Sequence, residues 1–243
     1  MRIEFYINPS GKIIPKNNRI MITSLIKKAI ENADIELFKE IYFFNNKANK
    51  KIKDFTFARY LENFKIKKDY IEVGRVKVTV TTTNYNLGIA ICNGIISIKN
   101  FNYKGYNLEI SSARLLKEKL INENEVVFRT LSGIHIKDKN NRAIDINDKD
   151  FENELNYISD LYLKSYRGYG LKEKLNFIPI SMKKVVVQEE IRGFKDVTSK
   201  EVIFINSYIG IFKLIGAVED LNILLQSGIG FRRSQGYGAI EIL

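Results

Sequence analysis

Lys27, Lys28, Lys47, Lys50, Lys51 and Lys53 crowd into residues 27–53. Crowded ammonium groups repel, so each lowers the pKa of its neighbours. One amine of such a group can lose its proton and act as a base, while the others stay charged. Tyr42 lies in the same stretch and carries a hydroxyl donor. Lys27, Lys28, Lys51 and Tyr42 therefore stand as candidate catalytic groups. They suit acid–base work beside a polyanion, in which an amine takes a proton, a charged lysine offsets negative charge and a tyrosine hydroxyl donates a hydrogen bond. The competing account is plainer: a solvated helix face, and a tyrosine packed beside Phe43 and Phe44.

A second cluster closes the chain. GIGFRRSQGYGAIEIL, residues 228–243, sets Gly228, Gly230, Gly236 and Gly238 around Arg232 and Arg233. Glycine weakens regular structure, so four together need a reason. A tight turn is one. The sharper one is a backbone opened so that its N–H groups approach phosphates. Arg232 and Arg233 would add charge and base contacts, and Tyr237 could stack on a base. Arg19, Lys47, Lys50 and Lys53 complete the set of candidate RNA-binding residues. His135, the single histidine, is expected on a strand, opposite Ile134 and Ile136. A strand histidine is more often structural than a base.

The elements that must position these groups follow from hydrophobic period. Ile3, Phe5 and Ile7 alternate, predicting a strand over 2–8. Ile22, Leu25, Ile26, Ala29, Ile30 and Ala33 follow helical spacing over 20–33. A polar, basic loop is expected over 44–54. FTFARYLENF and GRVKVTVTTT read as strands, and NYNLGIAICNGII as a helix capped by Thr83 or Asn84. Residues 95–113 return to strand. The order then repeats: strand NEVVFRTLSGIHI, helix 149–166, strands ISMKKVVVQEEI and KEVIFINSYIGIF, helix GAVEDLNILLQS ended by Gly228, strand AIEIL. Two βαββαβ units imply an α+β chain of two tandem ferredoxin-like, RRM-like domains with a C-terminal glycine-rich loop. The boundary is expected in the charged segment 117–125, giving domains 1–120 and 121–243.

Composition narrows the partners. A chain of 243 residues with formal net charge +11 favours a polyanion. No apolar run reaches a membrane span, and MRIEFYINPSG is too polar for a signal peptide. One cysteine, Cys92, makes no internal disulfide, so the cytoplasm is the expected compartment. No metal site and no cofactor are expected from so few ligands of the right kind.

GIGFRRSQGYG, following a helix and opening the last strand, resembles the glycine-rich loop of the RAMP superfamily of CRISPR-associated proteins. Within it the whole chain resembles the repeat-cleaving endoribonucleases. IPKNNRIMITSLIKKAI, the basic loop and FTFARYL are similar to that family's first helix, catalytic loop and second strand. TLSGIHIKDKNNR is similar to its opening of the second unit, where proline is common at the place of Gly133. The resemblance implies metal-independent cutting of CRISPR precursor RNA within repeats, leaving a 2′,3′-cyclic phosphate and a 5′-hydroxyl. It also implies repeat RNA as partner, CRISPR effector subunits as further partners, and a monomer or homodimer. The family's histidine after the first helix is missing. Matching the helix puts Lys27 at a tyrosine-type position. It puts Tyr42, or Asn45 or Asn46 with a small shift, where the histidine is expected. The general base is thus open, and a non-catalytic RAMP subunit that holds guide RNA is the rival reading. A housekeeping protein of tandem RRM-like units would need exposed aromatic strand motifs that are not evident.

Overall fold

The structure is a computed structural model that describes residues 1–45, 47–49, 51–189 and 203–243. It has two compact units. The first comprises Met1–Lys119 together with Arg233–Gly236, and the second Leu120–Arg232 together with Tyr237–Leu243.

The first unit runs β1 (Arg2–Pro9), β2 (Ile13–Pro15), α1 (Asn18–Ala33), α2 (Ile35–Tyr42), β3 (Phe43–Phe44), β4 (Lys47–Ala48) and β5 (Phe55–Glu62). It continues with β6 (Lys65–Ile66), β7 (Tyr70–Glu72), β8 (Arg75–Thr82), α3 (Tyr85–Ser97), β9 (Asn100–Tyr103) and β10 (Tyr106–Leu116). Its main sheet has the antiparallel order β5-β8-β1-β10-β9. Taking β1, β5, β8 and β10 as the four strands of a βαββαβ unit, the first and third lie in the middle, which is the ferredoxin-like arrangement. Alternation puts Ile3, Phe5 and Ile7 of β1 and Val76, Val78 and Val80 of β8 on one face, all fully buried. The stripe Met21, Ile22, Leu25, Ile26, Ala29 and Ile30 of α1 joins that core. Gly94 of α3 sits where a Cβ would lie 2.0 Å from the Ala29 carbonyl oxygen, so α1 and α3 touch backbone to backbone. Asn84 caps α3, its side chain accepting from the Leu87 N–H at 3.0 Å.

The second unit runs β11 (Glu125–Thr130), α4 (Asp150–Arg167), β12 (Asn176–Glu189), β13 (Ile203–Ile215), α5 (Val218–Ser227) and β14 (Ile240–Ile242). Its antiparallel sheet has the order β12-β13-β11-β14, the same topology again. Phe151 and Leu155 of α4 and Leu221, Leu224 and Leu225 of α5 form its core with Phe128 and Phe212. Gly228 ends α5 at φ 76°, its N–H donating to Leu224 O.

Both units follow the predicted βαββαβ order, but residues 95–113, expected as one strand, hold the end of α3 and the antiparallel pair β9 and β10. Three further details differ. The stretch between the first helix and the basic loop holds α2, opened by Asp34, whose carboxylate accepts from the Leu37 N–H. The strand read over NEVVFRTLSGIHI ends at Thr130. Beyond it the Leu131 and Ser132 N–H groups both donate to Ala239 O, and Ile134 forms only an isolated bridge with Tyr208. The basic loop folds into a short hairpin, β3 against β4, turning at Asn45 with φ 47°. Among the described residues no helix is long and apolar enough to cross a membrane.

Candidate active site

In the first unit, α1 and the hairpin loop meet at the end of α2. Lys27 on the outer face of α1 is exposed, and its Nζ lies 4.7 Å from the centre of the Tyr42 ring. Lys53 Nζ, half-buried, lies 5.5 Å from the same ring. Both distances fall within cation–π range. Phe38 packs on Tyr42 at 5.1 Å between ring centres and fixes its tilt. The Tyr42 hydroxyl is buried without a hydrogen-bond partner among the described residues, and burial pushes its pKa above the usual tyrosine value. Burial, and after it the charge on Lys27, lowers the pKa of Lys53.

Asn49 builds the loop around this pair, and its residue type gave no sign of that work. Its side-chain amide donates to Glu40 O at 3.0 Å, its Oδ1 accepts from the Lys51 N–H, and its own N–H donates to Tyr42 O. Lys53 Nζ in turn donates to Asn49 O at 2.9 Å and Lys51 O at 3.0 Å. Two carbonyls thus aim the amine. The other lysines keep different company. Lys28 pairs with Glu31 at 3.0 Å. Lys51 Nζ lies 5.9 Å from the Phe44 ring. Lys47 is exposed on β4. Lys50 lies outside the described residues, as does Asn46.

Arg19 of α1 donates from Nε to Gly236 O at 3.3 Å. Gly236, at φ 84°, lies flat on Phe57, where a Cβ would come 2.7 Å from the ring. In the second unit Gly228, Gly230 and Gly238 have φ of 76°, 78° and 73°, and Arg232 itself has φ 59°. The Gly228, Ile229, Phe231 and Gly238 N–H groups donate to Leu224, Gly238, His135 and Gly133 carbonyls. The Gly236 N–H donates to Arg233 O. The sequence reading asks these amides to meet phosphates, but those five are engaged inside the protein. The glycines let segments of backbone cross closely. Arg233 is buried and Arg232 half-buried. Tyr237 is fully buried, its hydroxyl donating to Glu189 at 2.7 Å, so the expected stacking on a base does not fit its position.

His135 is also buried. Its Nδ1 lies 2.7 Å from Asn206 O, and burial pulls its pKa down to about 4 against the pull of that hydrogen bond. The folded chain thus holds a neutral imidazole, and stability is lost as pH falls through the unfolded value of about 6.5 toward 4. The thermal stability of the parental chain is expected to fall between pH 6.5 and 5. His135→Gln should flatten that part of the curve, and an unchanged slope would count against a neutral buried ring.

Among the described residues, no group of three or more His, Cys, Asp or Glu is placed to hold a metal ion.

The family model for the C-terminal part of CRISPR-associated protein Cas6 matches residues 116–242, just over half the chain. The chain belongs to the Cas6 family. The resemblance to the RAMP superfamily read from its glycines is borne out. No curated protein sequence matches significantly. Among solved structures, the chain is similar to a Cas6-related gene product from Pyrococcus furiosus, with TM-score 0.81 and 19% identity over 100% of this chain and 98% of that one. It is similar to a RAMP protein described as binding different RNA substrates, at 0.80 and 19%, covering 100% and 99%. A Cas6 product complex from Thermus thermophilus gives 0.68 and 12%, covering 100% and 99%. At these identities the likeness to each Cas6 structure is one of fold.

Proposed function

We propose that this chain is a metal-independent endoribonuclease that cuts CRISPR precursor RNA within its repeats, with Lys53 as general base and Lys27 as its charged partner. The observation that carries this reading is the pairing of two lysines on one aromatic ring, with the half-buried one held toward its neutral form. Neutral Lys53 takes the 2′-hydroxyl proton. The 2′-oxygen forms a bond to phosphorus, and the bond from phosphorus to the 5′-oxygen breaks. Lys27 offsets the charge on the phosphorane and gives its proton to the 5′-oxygen. A 2′,3′-cyclic phosphate and a 5′-hydroxyl result, and exchange with water resets both amines. Lys28 and Lys51 are assigned to holding the phosphate backbone, with Lys47 and Lys50. Arg232 supplies a further RNA contact, and Arg19 with Gly228, Gly230, Gly236, Gly238 and Arg233 keeps the glycine-rich segment in shape. The setting is the cytoplasm, and effector subunits receive the product.

A second reading is a subunit that binds guide RNA without cutting. The buried Tyr42 hydroxyl and the distance in sequence of the one histidine from α1 favour it. One assay separates the two. End-labelled repeat RNA from the same genome is incubated with excess protein in EDTA, with controls carrying a single 2′-deoxy at each site in turn. One product ending in a cyclic phosphate, blocked by one 2′-deoxy, supports the nuclease. Tight binding without a cut supports the holder.

A further inference from the structure

We infer that Tyr42 is a positioning residue that works through its ring and not its hydroxyl: it is the platform on which the Lys27 and Lys53 ammonium groups are held as one pair. The inference rests on the lysine-pair reading above and extends it to how the pair is assembled.

The geometry argues for the ring. Two ammonium groups from elements 26 positions apart in sequence reach the same aromatic ring, at 4.7 and 5.5 Å. Alone, two like charges would separate into solvent, and each lysine stem has the rotamer freedom to allow it. The negative face of a tyrosine ring opposes that separation. The hydroxyl is buried and has no hydrogen-bond partner among the described residues. Phe38 at 5.1 Å holds the ring from its own helix, and the Asn49 N–H ties Tyr42 O to the loop that carries Lys53. The ring thus sits where α1, α2 and the loop join. Among the described residues, Lys53 faces Lys27 from α1, the Tyr42 ring from α2, and the Asn49 and Lys51 carbonyls of its own loop. Burial of Lys53, and after it the charge of the Lys27 that the ring keeps close, bias Lys53 toward the amine.

The ring and the hydroxyl make opposite predictions for two substitutions. Tyr42→Phe keeps the platform. Tyr42→Leu keeps the bulk and removes it. An aromatic ring also shifts the methylene protons of a lysine lying over it, so NMR of the lysine ε-CH2 groups reads the geometry without any reaction. In the parental chain two ε-CH2 signals, assigned by Lys27→Arg and Lys53→Arg, should be displaced upfield. Tyr42→Phe should preserve both shifts and the single-turnover rate within about threefold. Tyr42→Leu should abolish both shifts and slow cleavage about tenfold. Tyr42→Trp, a larger ring, should retain the shifts and guards against a Leu variant that folds poorly. Lysine signals that are unshifted in the parental chain, or that survive Tyr42→Leu, would overturn the inference, as would a Phe variant as slow as the Leu one. If the ring shifts are present and vanish in Tyr42→Leu while no form cuts RNA, the platform stands and the nuclease reading falls.

Discussion

Lys53→Met is expected to lower single-turnover cleavage of repeat RNA by roughly 10²–10⁴-fold, the usual worth of a positioned base, while RNA binding changes only a few-fold. Methionine keeps most of the stem and removes both the proton acceptor and the charge. Lys53→Arg separates these two losses. It keeps the cation but stays protonated at any working pH. If Lys53 is the base, arginine should be as inactive as methionine while binding at the parental level. If Lys53 acts only through its charge, arginine should restore much of the rate. The pH profile gives a second view. Because burial and Lys27 lower the Lys53 pKa, cleavage should rise with pH and level off below the ordinary lysine value of about 10.4. Lys27→Met removes the like charge, so the inflection of the residual activity should move upward. An inflection that stays put would mean that Lys27 and Lys53 do not sense each other in solution.

The parts of this fold that were legible in the sequence are those written in long periods. The stripe from Ile22 to Ala33 and the alternation Val76, Val78, Val80 bury one face of each element, and burial of that kind outweighs local preference. The short helix Ile35–Tyr42 was not legible. Eight residues are too few to establish a period, and its apolar side chains Ile35, Leu37, Phe38 and Ile41 also suit a loop leading into a strand. That one element decides the candidate site, because it carries Tyr42 to the ends of two lysines. Spacing alone put Lys28 and Lys51 among the catalytic candidates and Lys53 among the binding ones. Packing separates them, giving Lys28 a carboxylate partner and Lys53 a ring and two carbonyls. Likewise the glycine spacing marked an unusual backbone, yet it left open whether an external phosphate or the chain itself comes close. At Gly238 it is the chain.

Gly238→Ala should destabilise the second unit by about 2–5 kcal/mol, from left-handed strain and overpacking together. A Cβ at this position would lie 1.9 Å from the Ile229 carbonyl oxygen, and φ is +73°. The strain is common to any residue placed here, and the clash is with backbone that has no rotamer to escape into. The same carbonyl-rich crossing is braced on both sides: the Gly238 N–H donates to Gly133 O, and Gly238 O accepts from the Ile229 N–H, each at 2.9 Å. Relieving the contact would therefore break one of the bonds that hold it. Gly105 is the matched control. Its φ is +88°, but a Cβ there meets nothing within 4 Å. Gly105→Ala carries only the conformational part, about 1–2 kcal/mol. Urea unfolding of both variants compares strain with strain plus crossing. A Gly238 variant no weaker than the Gly105 one would mean that the crossing yields easily, and the glycines would then owe their place to an outside ligand. A clearly larger loss, with RNA affinity falling in step with the folded fraction, makes the glycine-rich segment a shaped part of the protein first and a contact with RNA second.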